Sequence, residues 1–454
     1  MDKGFFKDKH VVVMGLGSFG GGADSAAFAA GAGAKVLVTD LAGPDTLART
    51  LEPLGTLPIE YRLGEHREED FLAADVVIVN PAVPPGNRCI QTAQRGKALV
   101  TSQVELFFQM CPAPIVAVTG SNGKSTTVSL TAHLLAAGIG QANITYQNVH
   151  LSGNIGNRPL LGLLDTLTAE DLVVLELSSF QLEQLARIRQ GPYAAVITNL
   201  TPNHLDRHGT FEAYCRAKET LFKFQPLDKN RPCLSVFNAE DTITRAWYTK
   251  YHDQDGRTCL AFSADDVPEA LLAGFKCPGR ANRANLAAAL AVASHVQVAP
   301  DRLAEAVATF CPLDHRLQLV AEKHGVRWYD DSKATTPVST LAALNGIDEP
   351  KILIAGGYDK GIDFSELGTC IADCAKAVVL IGQTAPKIER AIRVAGSSNV
   401  VIQHADSMPA AVAAAAALAH PGDVVLMSPA CASYDMFTNY TQRAQAFIAA
   451  VNAL

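Results

Sequence analysis

The sequence predicts an α/β protein of three domains, each built on a parallel sheet that helices cover on both faces. Its 454 residues correspond to about three domains at roughly 150 residues each. Short runs rich in Val, Ile and Leu alternate with Ala- and Leu-rich helical stretches, which is typical of buried parallel strands and crossover helices. Proline-containing breaks at Cys111–Pro114 and Cys311–Asp314 divide this alternation. We therefore expect domains over residues 1–112, 113–313 and 314–454.

The composition indicates an ordinary globular protein. Hydrophobic residues make up 48% and charged residues 18%, which argues against long disordered regions. The net charge of −7 gives no general attraction to nucleic acid. The ten cysteines lack the paired spacing of a zinc site, and Met1–His10 lacks the apolar core of a signal peptide. No apolar run reaches the roughly 18 residues that span a bilayer. We expect a cytoplasmic monomer with reduced thiols and no membrane insertion.

The first domain opens with a glycine-rich turn. Strands are predicted at His10–Met14, Lys35–Thr39, Asp75–Val79 and Ala98–Val100, with a closing helix at Gln103–Met110. Gly15, Gly17 and Gly20 form G-x-G-x-x-G directly after the first strand, and Asp40 follows the second. Such glycines let a diphosphate approach the N-terminus of the next helix. The pattern favours a Rossmann-like domain that binds a nucleotide diphosphate. A purely structural turn stays open, and nothing nearby indicates a hydride-transfer site for NAD.

The second domain contains the sharpest motif of the sequence. Strands are predicted at Ile115–Val118, Leu172–Leu177, Ala194–Thr198 and Cys233–Phe237, and helices at Asn285–His295 and Arg302–Phe310. Between the first strand and a helix runs T-G-S-N-G-K-S-T-T, which resembles a phosphate-binding loop shortened between Gly120 and Gly123. Lys124 and the backbone N–H groups would hold ATP phosphates, and the hydroxyl of Ser125 or Thr126 would reach Mg²⁺. We expect a central mononucleotide-binding α/β domain of the P-loop type.

Polar side chains follow two further strands of this domain. Glu176 ends one strand, and the polar segment Asn199–His208, which contains His204, follows the next. A carboxylate at the carboxyl edge of a parallel sheet, beside a phosphate loop, is well placed to coordinate Mg²⁺. We expect His204 to lie in the same crevice. Lys218 falls on a helix that begins near Phe211, and its pattern alone indicates a solvated surface lysine.

The third domain is also predicted to be Rossmann-like. Strands are expected at Val326–Tyr329, Ile352–Ala355, Ala377–Ile381, Val400–Ile402 and Val424–Met427, with a last helix from about Met436 to Val451. Loops 330–335, 356–361 and 428–435 follow strand ends and mix hydroxyls, lysines and carboxylates, and residues 314–316 carry a further charged group at the boundary. Such loops converge on one ligand-binding crevice. Cys431 has no paired base nearby in sequence, so a packed thiol is expected there.

In this order, the motifs T-G-S-N-G-K-S-T-T, E-L-S-S-F-Q-L-E, N-H-L-D-R-H, D-D-S-K-A-T and S-P-A-C-A-S closely resemble those of the Mur ligase family, over essentially the whole chain. The phosphate loop alone would indicate only the wider superfamily, which includes folylpolyglutamate synthase. The second, fourth and fifth motifs are similar to those of its glutamate-adding branch. The resemblance implies that ATP activates the carboxylate of UDP-N-acetylmuramoyl-L-alanine as an acyl phosphate, which the amino group of glutamate attacks. It also implies two Mg²⁺ ions and CO₂ or bicarbonate for lysine carbamylation.

The resemblance also implies roles for individual residues. Catalytic roles fall to Lys124, Lys218, His204, Lys333 and Lys360. ATP contacts fall to Gly120, Ser121, Asn122, Gly123, Lys124, Ser125, Thr126, Asn282, Asn285, Arg316 and Asp331, with His315 nearby. The UDP-linked substrate would contact Gly17, Ser18, the Asp40 region and Asn154, and glutamate would contact Lys333, Thr335, Lys360, Ser433 and Tyr440. Metal binding would use Ser125 or Thr126, Glu176, His204, and Lys218 as a carbamate, which replaces the surface interpretation of Lys218.

Two positions depart from the family pattern. Asn203 stands where some members have an acidic residue before the metal-binding His, and Ala281 replaces the usual His of G-x-H-N-x-x-N. The first departure affects support for the metal, and the second affects one contact on the adenine side. Two alternatives remain at this point: a polyglutamate-type ligase acting on a folate-like acid, and a nucleotide-binding regulator or dehydrogenase built around the first-domain glycines.

Overall fold

The structure, a computed structural model, describes residues 1–17, 20–155, 159–396 and 400–454. Ser18, assigned above to the UDP-linked substrate, lies outside these ranges. The described residues form two compact units, Met1–Ser263 with Ala287–Leu303 and Ala264–Leu286 with Ala304–Leu454. Within the described ranges, no helix is both long enough and apolar enough to cross a bilayer.

Three sheets organise the chain, and the first has five parallel strands in the order β3-β2-β1-β4-β5. Its strands are β1 His10–Met14, β2 Lys35–Asp40, β3 Ile59–Leu63, β4 Val76–Val79 and β5 Leu99–Thr101. Its helices are α1 Gly21–Gly31, α2 Pro44–Leu51, α3 Glu68–Leu72, α4 Arg88–Arg95 and α5 Gln103–Met110. The central strands are almost wholly buried because helices cover both faces.

The second sheet has six parallel strands in the order β11-β10-β9-β6-β8-β7. Its strands are β6 Ile115–Thr119, β7 Asn148–Gly153, β8 Asp171–Glu176, β9 Ala194–Ile197, β10 Cys233–Asn238 and β11 Arg257–Phe262. The helices of this stretch are α6 Lys124–Ala136, α7 Ser179–Ile188, α8 Leu205–His208, α9 Phe211–Lys223, α10 Thr242–Tyr251, α11 Glu269–Leu272, α12 Arg280–His295 and α13 Pro300–Thr309.

The third sheet has the order β12-β13-β17-β14-β15-β16. Its strands are β12 Gln318–Lys323, β13 Val326–Asp330, β14 Lys351–Gly356, β15 Ala375–Ile381, β16 Val401–Ala405 and β17 Val424–Met427. Its helices are α14 Pro337–Asn345, α15 Ser365–Cys374, α16 Ala385–Val394, α17 Met408–Leu418 and α18 Tyr440–Asn452. Short 3₁₀ turns occur at Lys3–Phe6, Glu52–Leu54, Leu161–Asp165 and Ala264–Asp266.

The structure corrects the sequence prediction at sheet edges and at one helix. The strand at the edge of the third sheet, β12, pairs antiparallel with β13, so this sheet is mixed and not wholly parallel. Four strands, β3, β7, β11 and β12, were not predicted, and each lies at a sheet edge. The last helix begins at Tyr440 and not near Met436, because the side chain of Asn439 caps it by accepting from Gln442 N at 2.8 Å.

Candidate active site

The turn between β6 and α6 is compact and needs its glycines. Gly120 has a φ of 150° and Gly123 a φ of 80°. A Cβ on Gly120 would collide with the side chain of Thr198. Gly123 immediately precedes α6, so the unpaired N–H groups of the first helical turn lie beside the loop. Lys124 folds back over the loop, where its Nζ donates to Gly120 O at 3.0 Å and to Ser121 O at 2.8 Å.

The segment after β9 holds this turn in place. Asn122 N donates to Asn199 Oδ1 at 3.0 Å, and Asn199 Nδ2 donates to Asn122 O at 3.1 Å. Thr198 Oγ1 also donates to Asn122 O, at 2.5 Å. Ser121 Oγ lies 2.9 Å from the Tyr214 hydroxyl and accepts from Thr201 N at 2.9 Å. The side chain of Ser121 and the backbone of Asn122 are therefore engaged in shaping the turn itself.

Lys218 is buried at the same edge of the sheet, so its interpretation as a surface residue is wrong. The side chain is 1% exposed, and its Nζ donates to Thr119 Oγ1 at 3.1 Å, at the carboxyl end of β6. The ammonium also lies 4.8 Å from the ring centroid of Tyr214. Burial lowers the pKa of Lys218 well below its ordinary value, and the charge of Lys124 lowers it further, whereas Glu176 opposes the shift. The lowered pKa favours the neutral amine form of Lys218.

Glu176 ends β8 and is 2% exposed. One carboxylate oxygen, Oε1, accepts from Asn154 Nδ2 at 3.1 Å. The other, Oε2, is buried and has no hydrogen-bond partner in the described part of the chain. A buried carboxylate oxygen without a partner is costly unless a donor or a cation occupies the space beside it. Glu176 therefore fits the predicted Mg²⁺ ligand, and Asn154 orients it.

His204 stands at the start of α8 with a φ of 52°, an uncommon conformation for a residue other than glycine. Burial lowers the pKa of His204, and the charges of Lys124 and Lys218 lower it further. Its backbone N–H donates to Asn203 Oδ1 at 2.9 Å, and its ring packs against Phe180 with 5.1 Å between centroids. The ring is therefore held neutral, the form in which histidine binds metal ions.

The structure brings to one edge of the central sheet four side chains that are predicted to be catalytic or metal-binding: Lys124, Glu176, His204 and Lys218. Their mutual charges appear in the pKa shifts of Lys218 and His204. Ser125 and Thr126 occupy the first turn of α6, where Ser125 is 6% exposed. Among the described residues, no three His, Cys, Asp or Glu side chains cluster to hold a metal ion. Beside Glu176 and His204, a metal ion here would therefore need further oxygen ligands from hydroxyls, substrates or water.

The glycine turn of the first sheet is shaped by Asp40. Gly15, Gly17 and Gly20 all have positive φ, between 65° and 87°. Asp40 Oδ2 accepts from Leu16 N at 2.8 Å and from Gly17 N at 3.1 Å, and Oδ1 accepts from Ala42 N at 2.8 Å. Both carboxylate oxygens of Asp40 are therefore used by backbone N–H groups of the turns they support.

In the third sheet, a buried acidic pair follows β13. His315 Nδ1 lies 2.6 Å from Asp330 Oδ2, and Ser332 donates its N–H and its hydroxyl to Asp330 Oδ1. Asp331 Oδ2 accepts from Ser428 Oγ at 2.6 Å. Burial raises the pKa of Asp331 to about 7, although the Ser428 hydrogen bond and the charge of Arg316 lower it. The loops after β13 and β17 are thus joined through their polar side chains.

The residues assigned to glutamate lie on the loops after β13, β14 and β17 and at the start of α18. Lys333 Nζ is 5.8 Å from the ring centroid of Tyr440, whose ring meets His315 edge-on at 6.0 Å. Ser433 is 2% exposed, whereas Lys360 is exposed to solvent. Thr335 N donates to Lys333 O at 3.0 Å. The structure therefore brings Lys333 beside Tyr440, and Lys360 and Ser433 follow neighbouring strands β14 and β17.

Two asparagines lie in the first two turns of α12. Asn282 Nδ2 donates to Pro278 O at 2.7 Å, and Asn285 Nδ2 donates to Asn282 Oδ1 at 3.2 Å. Ala281 lies in the same turn and contributes no polar atom from its side chain. Both asparagines are thus oriented by local hydrogen bonds.

Sequence reasoning missed several residues that organise these loops. Arg443 is 1% exposed and donates to Cys431 O at 3.0 Å and to Ser332 O at 2.8 Å, and burial lowers its pKa to about 10. Its place on the apolar face of α18, beside Ala444 and Phe447, was the available signal. Tyr214, which supports both Ser121 and Lys218, gave no comparable signal. Cys431 is confirmed as a packed thiol: it is 2% exposed, and burial raises its pKa to about 11.

The fold and the candidate site define an α/β protein of two parallel sheets and one mixed sheet, with polar and charged side chains collected at the carboxyl edge of the central sheet. The chain belongs to the Mur ligase family. The model of the Mur ligase middle domain matches residues 118–274, and the model of the Mur ligase, glutamate ligase domain matches residues 315–431.

The chain is similar over nearly its whole length to relatives named UDP-N-acetylmuramoylalanine--D-glutamate ligase. The relative from Roseiflexus sp. (strain RS-1) is 41% identical, covering 97% of each chain, and that from Symbiobacterium thermophilum is 36% identical, covering 93% of each. Among solved structures, UDP-N-acetylmuramate-alanine ligase from Thermotoga maritima matches with a TM-score of 0.60 and 18% identity over 98% of this chain and 99% of its own. The MurF ligase from the same organism, in complex with ADP, matches with a TM-score of 0.57 and 17% identity over 98% of this chain and 95% of its own. These structures show the fold.

Proposed function

We propose that this protein joins D-glutamate to UDP-N-acetylmuramoyl-L-alanine at the expense of ATP, releasing ADP and phosphate. The names of the full-length relatives support the substrates and the enantiomer. The observation that carries the chemistry is the meeting of Lys124, Glu176 and the buried amine of Lys218 at the carboxyl edge of the central sheet. Such an arrangement suits a reaction in which crowded anions must be neutralised and held in line.

Each domain has a part in this proposal. Residues 1–112 form a Rossmann-like domain for the UDP-linked acid, with Gly17 and Ser18 at the nucleotide. Residues 113–313 form the P-loop domain for ATP, and residues 314–454 form a second Rossmann-like domain for glutamate. Asp40 acts on the nucleotide indirectly, because its carboxylate holds the glycine turn through Leu16 N and Gly17 N.

ATP binding is assigned to the β6–α6 turn and to polar groups from later elements. The N–H groups of residues 123–126, at the start of α6, hold the phosphates, while Gly120, Ser121 and Asn122 shape the turn around them. Lys124 Nζ exchanges its carbonyl acceptors at Gly120 and Ser121 for phosphate oxygens. Asn282, Asn285, Arg316 and Asp331 are assigned to the base and ribose. Loss of the carbonyl hydrogen bonds of Lys124 is offset by stronger charge-assisted bonds to phosphate.

Glu176, His204 and the hydroxyl of Ser125 or Thr126 are assigned to magnesium. The Oε2 of Glu176, which has no hydrogen-bond partner among the described residues, and the lowered pKa of His204 support this assignment. When bound, Mg²⁺ supplies positive charge that neutralises the phosphate and carboxylate oxygens. The lowered pKa of Lys218 supports carbamylation: its neutral amine adds to CO₂ and loses a proton, which converts a cation into an anionic oxygen ligand.

The remaining residues of this chain handle the acid and the amine. Asn154 holds Glu176 and faces the UDP-linked substrate in this proposal, while Lys124 balances the charge on the acyl phosphate and the leaving phosphate. Lys333, Thr335, Lys360, Ser433 and Tyr440 bind glutamate, whose two carboxylates need several donors each. The glutamate amine then attacks the activated carbonyl carbon, the C–O bond to phosphate breaks, and the amine proton leaves to solvent.

The test is phosphate release from ATP with UDP-N-acetylmuramoyl-L-alanine, D- or L-glutamate, Mg²⁺ and bicarbonate, each component omitted in turn. We expect release only when the UDP-linked acid and D-glutamate are both present. Release with L-glutamate and a folate-like acid, and none with the UDP-linked acid, would assign the protein to a different ligase of the family.

A further inference from the structure

Two cysteines that belong to none of the sites described above lie together at the end of α15. Cys370 and Cys374 are four residues apart in the last turns of this helix, and their sulfur atoms are 3.7 Å apart. Cys374 immediately precedes β15, so the pair lies at the amino edge of the third sheet. The loops assigned to glutamate follow the opposite, carboxyl edge. The proposed ligase chemistry therefore makes no use of this pair.

The sulfur separation fits a bridge through one atom. A tetrahedral centre with Zn–S bonds of about 2.3 Å places its sulfur ligands roughly 3.8 Å apart. A disulfide, in contrast, needs Cβ atoms about 3.5–4.5 Å apart. Helical residues at i and i+4 have Cβ atoms about 5–6 Å apart, so a direct S–S bond would distort the helix. The distance between the two sulfur atoms in the helix therefore already matches that between two sulfur ligands of one bound atom.

The exposure of the two thiols and the charge beside them also suit the binding of one bridging atom. Both thiols are partly exposed, whereas five of the other cysteines are buried. Cys370 Sγ also lies 3.6 Å from Asn345 Oδ1, an oxygen at the end of α14. Lys351 lies opposite Ala375, next to the pair, and its positive charge favours thiolates, whereas burial and the charge of Asp373 oppose them. Two thiolates around a divalent ion give no net charge, so Lys351 adds little repulsion.

We propose that Cys370 and Cys374 form a two-thiol site that binds one thiophilic atom, of the class of Zn²⁺, Cd²⁺ and trivalent arsenic. With a divalent ion, each thiol releases its proton and two S–metal bonds form, with water filling the other positions. With an organic arsenic(III) oxide, two S–As bonds form, the As=O bond breaks, and its oxygen leaves as water with the two thiol protons. No electron transfer is involved.

Phenylarsine oxide is the probe for this site, because one such molecule closes a bridge only between two neighbouring thiols. The reduced full-length protein is titrated with it, and the adduct is measured by intact mass, by loss of free thiols and by peptide mapping. We expect one phenylarsenic group per chain, two thiols lost, and both bonds on the peptide that carries Cys370 and Cys374. An adduct mapped to other cysteines overturns the proposal.

Variants separate a chelating pair from two independent thiols. Cys370→Ser and Cys374→Ser should each weaken uptake by about 100-fold or more, because the second bond is intramolecular in the parent. Cys259→Ser, which changes another partly exposed cysteine, should leave uptake unchanged. Circular dichroism verifies folding, and Cys→Ala replaces Cys→Ser where a variant does not fold. Equal affinity of the parent and the pair variants contradicts the site. Because no turnover is measured, this result is independent of the proposed ligase activity.

Discussion

Lys218 is 1% exposed and is affected by the charge of Lys124. Burial of its charged amine therefore lowers the stability of the folded protein. The proposed carbamate explains why such a group is retained. We expect Lys218→Met to lower ligase turnover by at least about 100-fold, since a charge-stabilising group is lost. The same variant should unfold at a higher temperature, because a Met side chain fills the site without desolvating a charge. Lys223→Met, at the exposed end of the same helix, should change neither property.

The pH dependence of stability distinguishes burial of the amine from other causes. The folded pKa of Lys218 is lowered, so between that pKa and the ordinary value of about 10.4 the unfolded chain binds more protons than the folded chain. The unfolding free energy of the parent therefore gains a contribution as pH rises through this window. Denaturant titrations should show the advantage of Lys218→Met shrinking from pH 7 to pH 10. A constant advantage would contradict the pKa shift.

Asp331 affects the pH dependence of the unfolding free energy in the opposite direction. Burial raises its pKa to about 7, so between about pH 4 and pH 7 the folded protein holds a proton that the unfolded chain has lost. This residue therefore costs stability progressively as pH rises through that interval. Asp331→Asn mimics the protonated acid, and we expect its melting temperature to exceed that of the parent at pH 8 and to match it near pH 4. A variant that is less stable at pH 8 would refute this assignment.

At the scale of elements, Asp24 on α1 connects the first sheet to the central one. Its carboxylate accepts from the backbone N–H groups of Leu160, Leu161 and Gly162 at 2.7–3.1 Å and from Gln103 Nε2 at 2.6 Å. Asp24→Asn places an amide N–H group against these N–H donors. We therefore expect the free energy of unfolding to fall by about 2 kcal/mol, which a lower melting temperature would show. Asp45→Asn, in the exposed first turn of α2, is the matched control. Equal melting temperatures would show that the connection contributes little.

The β6–α6 turn offers a second test at this scale. Gly120 and Gly140 both have positive φ, but only Gly120 has a neighbour that a Cβ would strike. Gly120→Ala should displace the loop from Thr198 and weaken ATP binding by about tenfold or more, as measured by calorimetry. Gly140→Ala should cost only the backbone strain of roughly 1–2 kcal/mol and retain ATP affinity. Similar ATP affinities in both variants would remove the loop from the ATP site.

The elements that could be predicted from the sequence are those with continuous burial. Strands such as β1, β6 and β17 were found because their apolar runs face helices on both sides. The missed strands β3 and β12 are partly exposed at sheet edges, so their sequences mix charged and apolar residues. The antiparallel pairing of β12 with β13 is local, through a two-residue turn at His324 and Gly325, both with positive φ, and its register is interrupted between Leu319 and Ala321.

At the scale of the whole molecule, the position of the candidate site followed from topology. Lys124 and Glu176 could be predicted because each lies at or just after the carboxyl end of an apolar strand, and the structure shows these strands, β6 and β8, to be neighbours. The burial of Lys218 could not be predicted from the local pattern, because its helix resembles one with an exposed polar face. Only the packing of α9 on the sheet buries this side chain. The internal roles of Asp40 and Asn154 likewise depend on which backbone groups lie within hydrogen-bond distance.

In the proposed reaction, ATP activates the carboxylate of the UDP-linked acid before D-glutamate attacks. UDP-N-acetylmuramoyl-L-alanine labelled with ¹⁸O in its carboxylate tests this directly, in a reaction with unlabelled ATP and D-glutamate. Each turnover should transfer one labelled oxygen from the acid to the released phosphate and yield the amide product, as measured by mass spectrometry. Amide formation with unlabelled phosphate, or phosphate release without amide, would contradict the account.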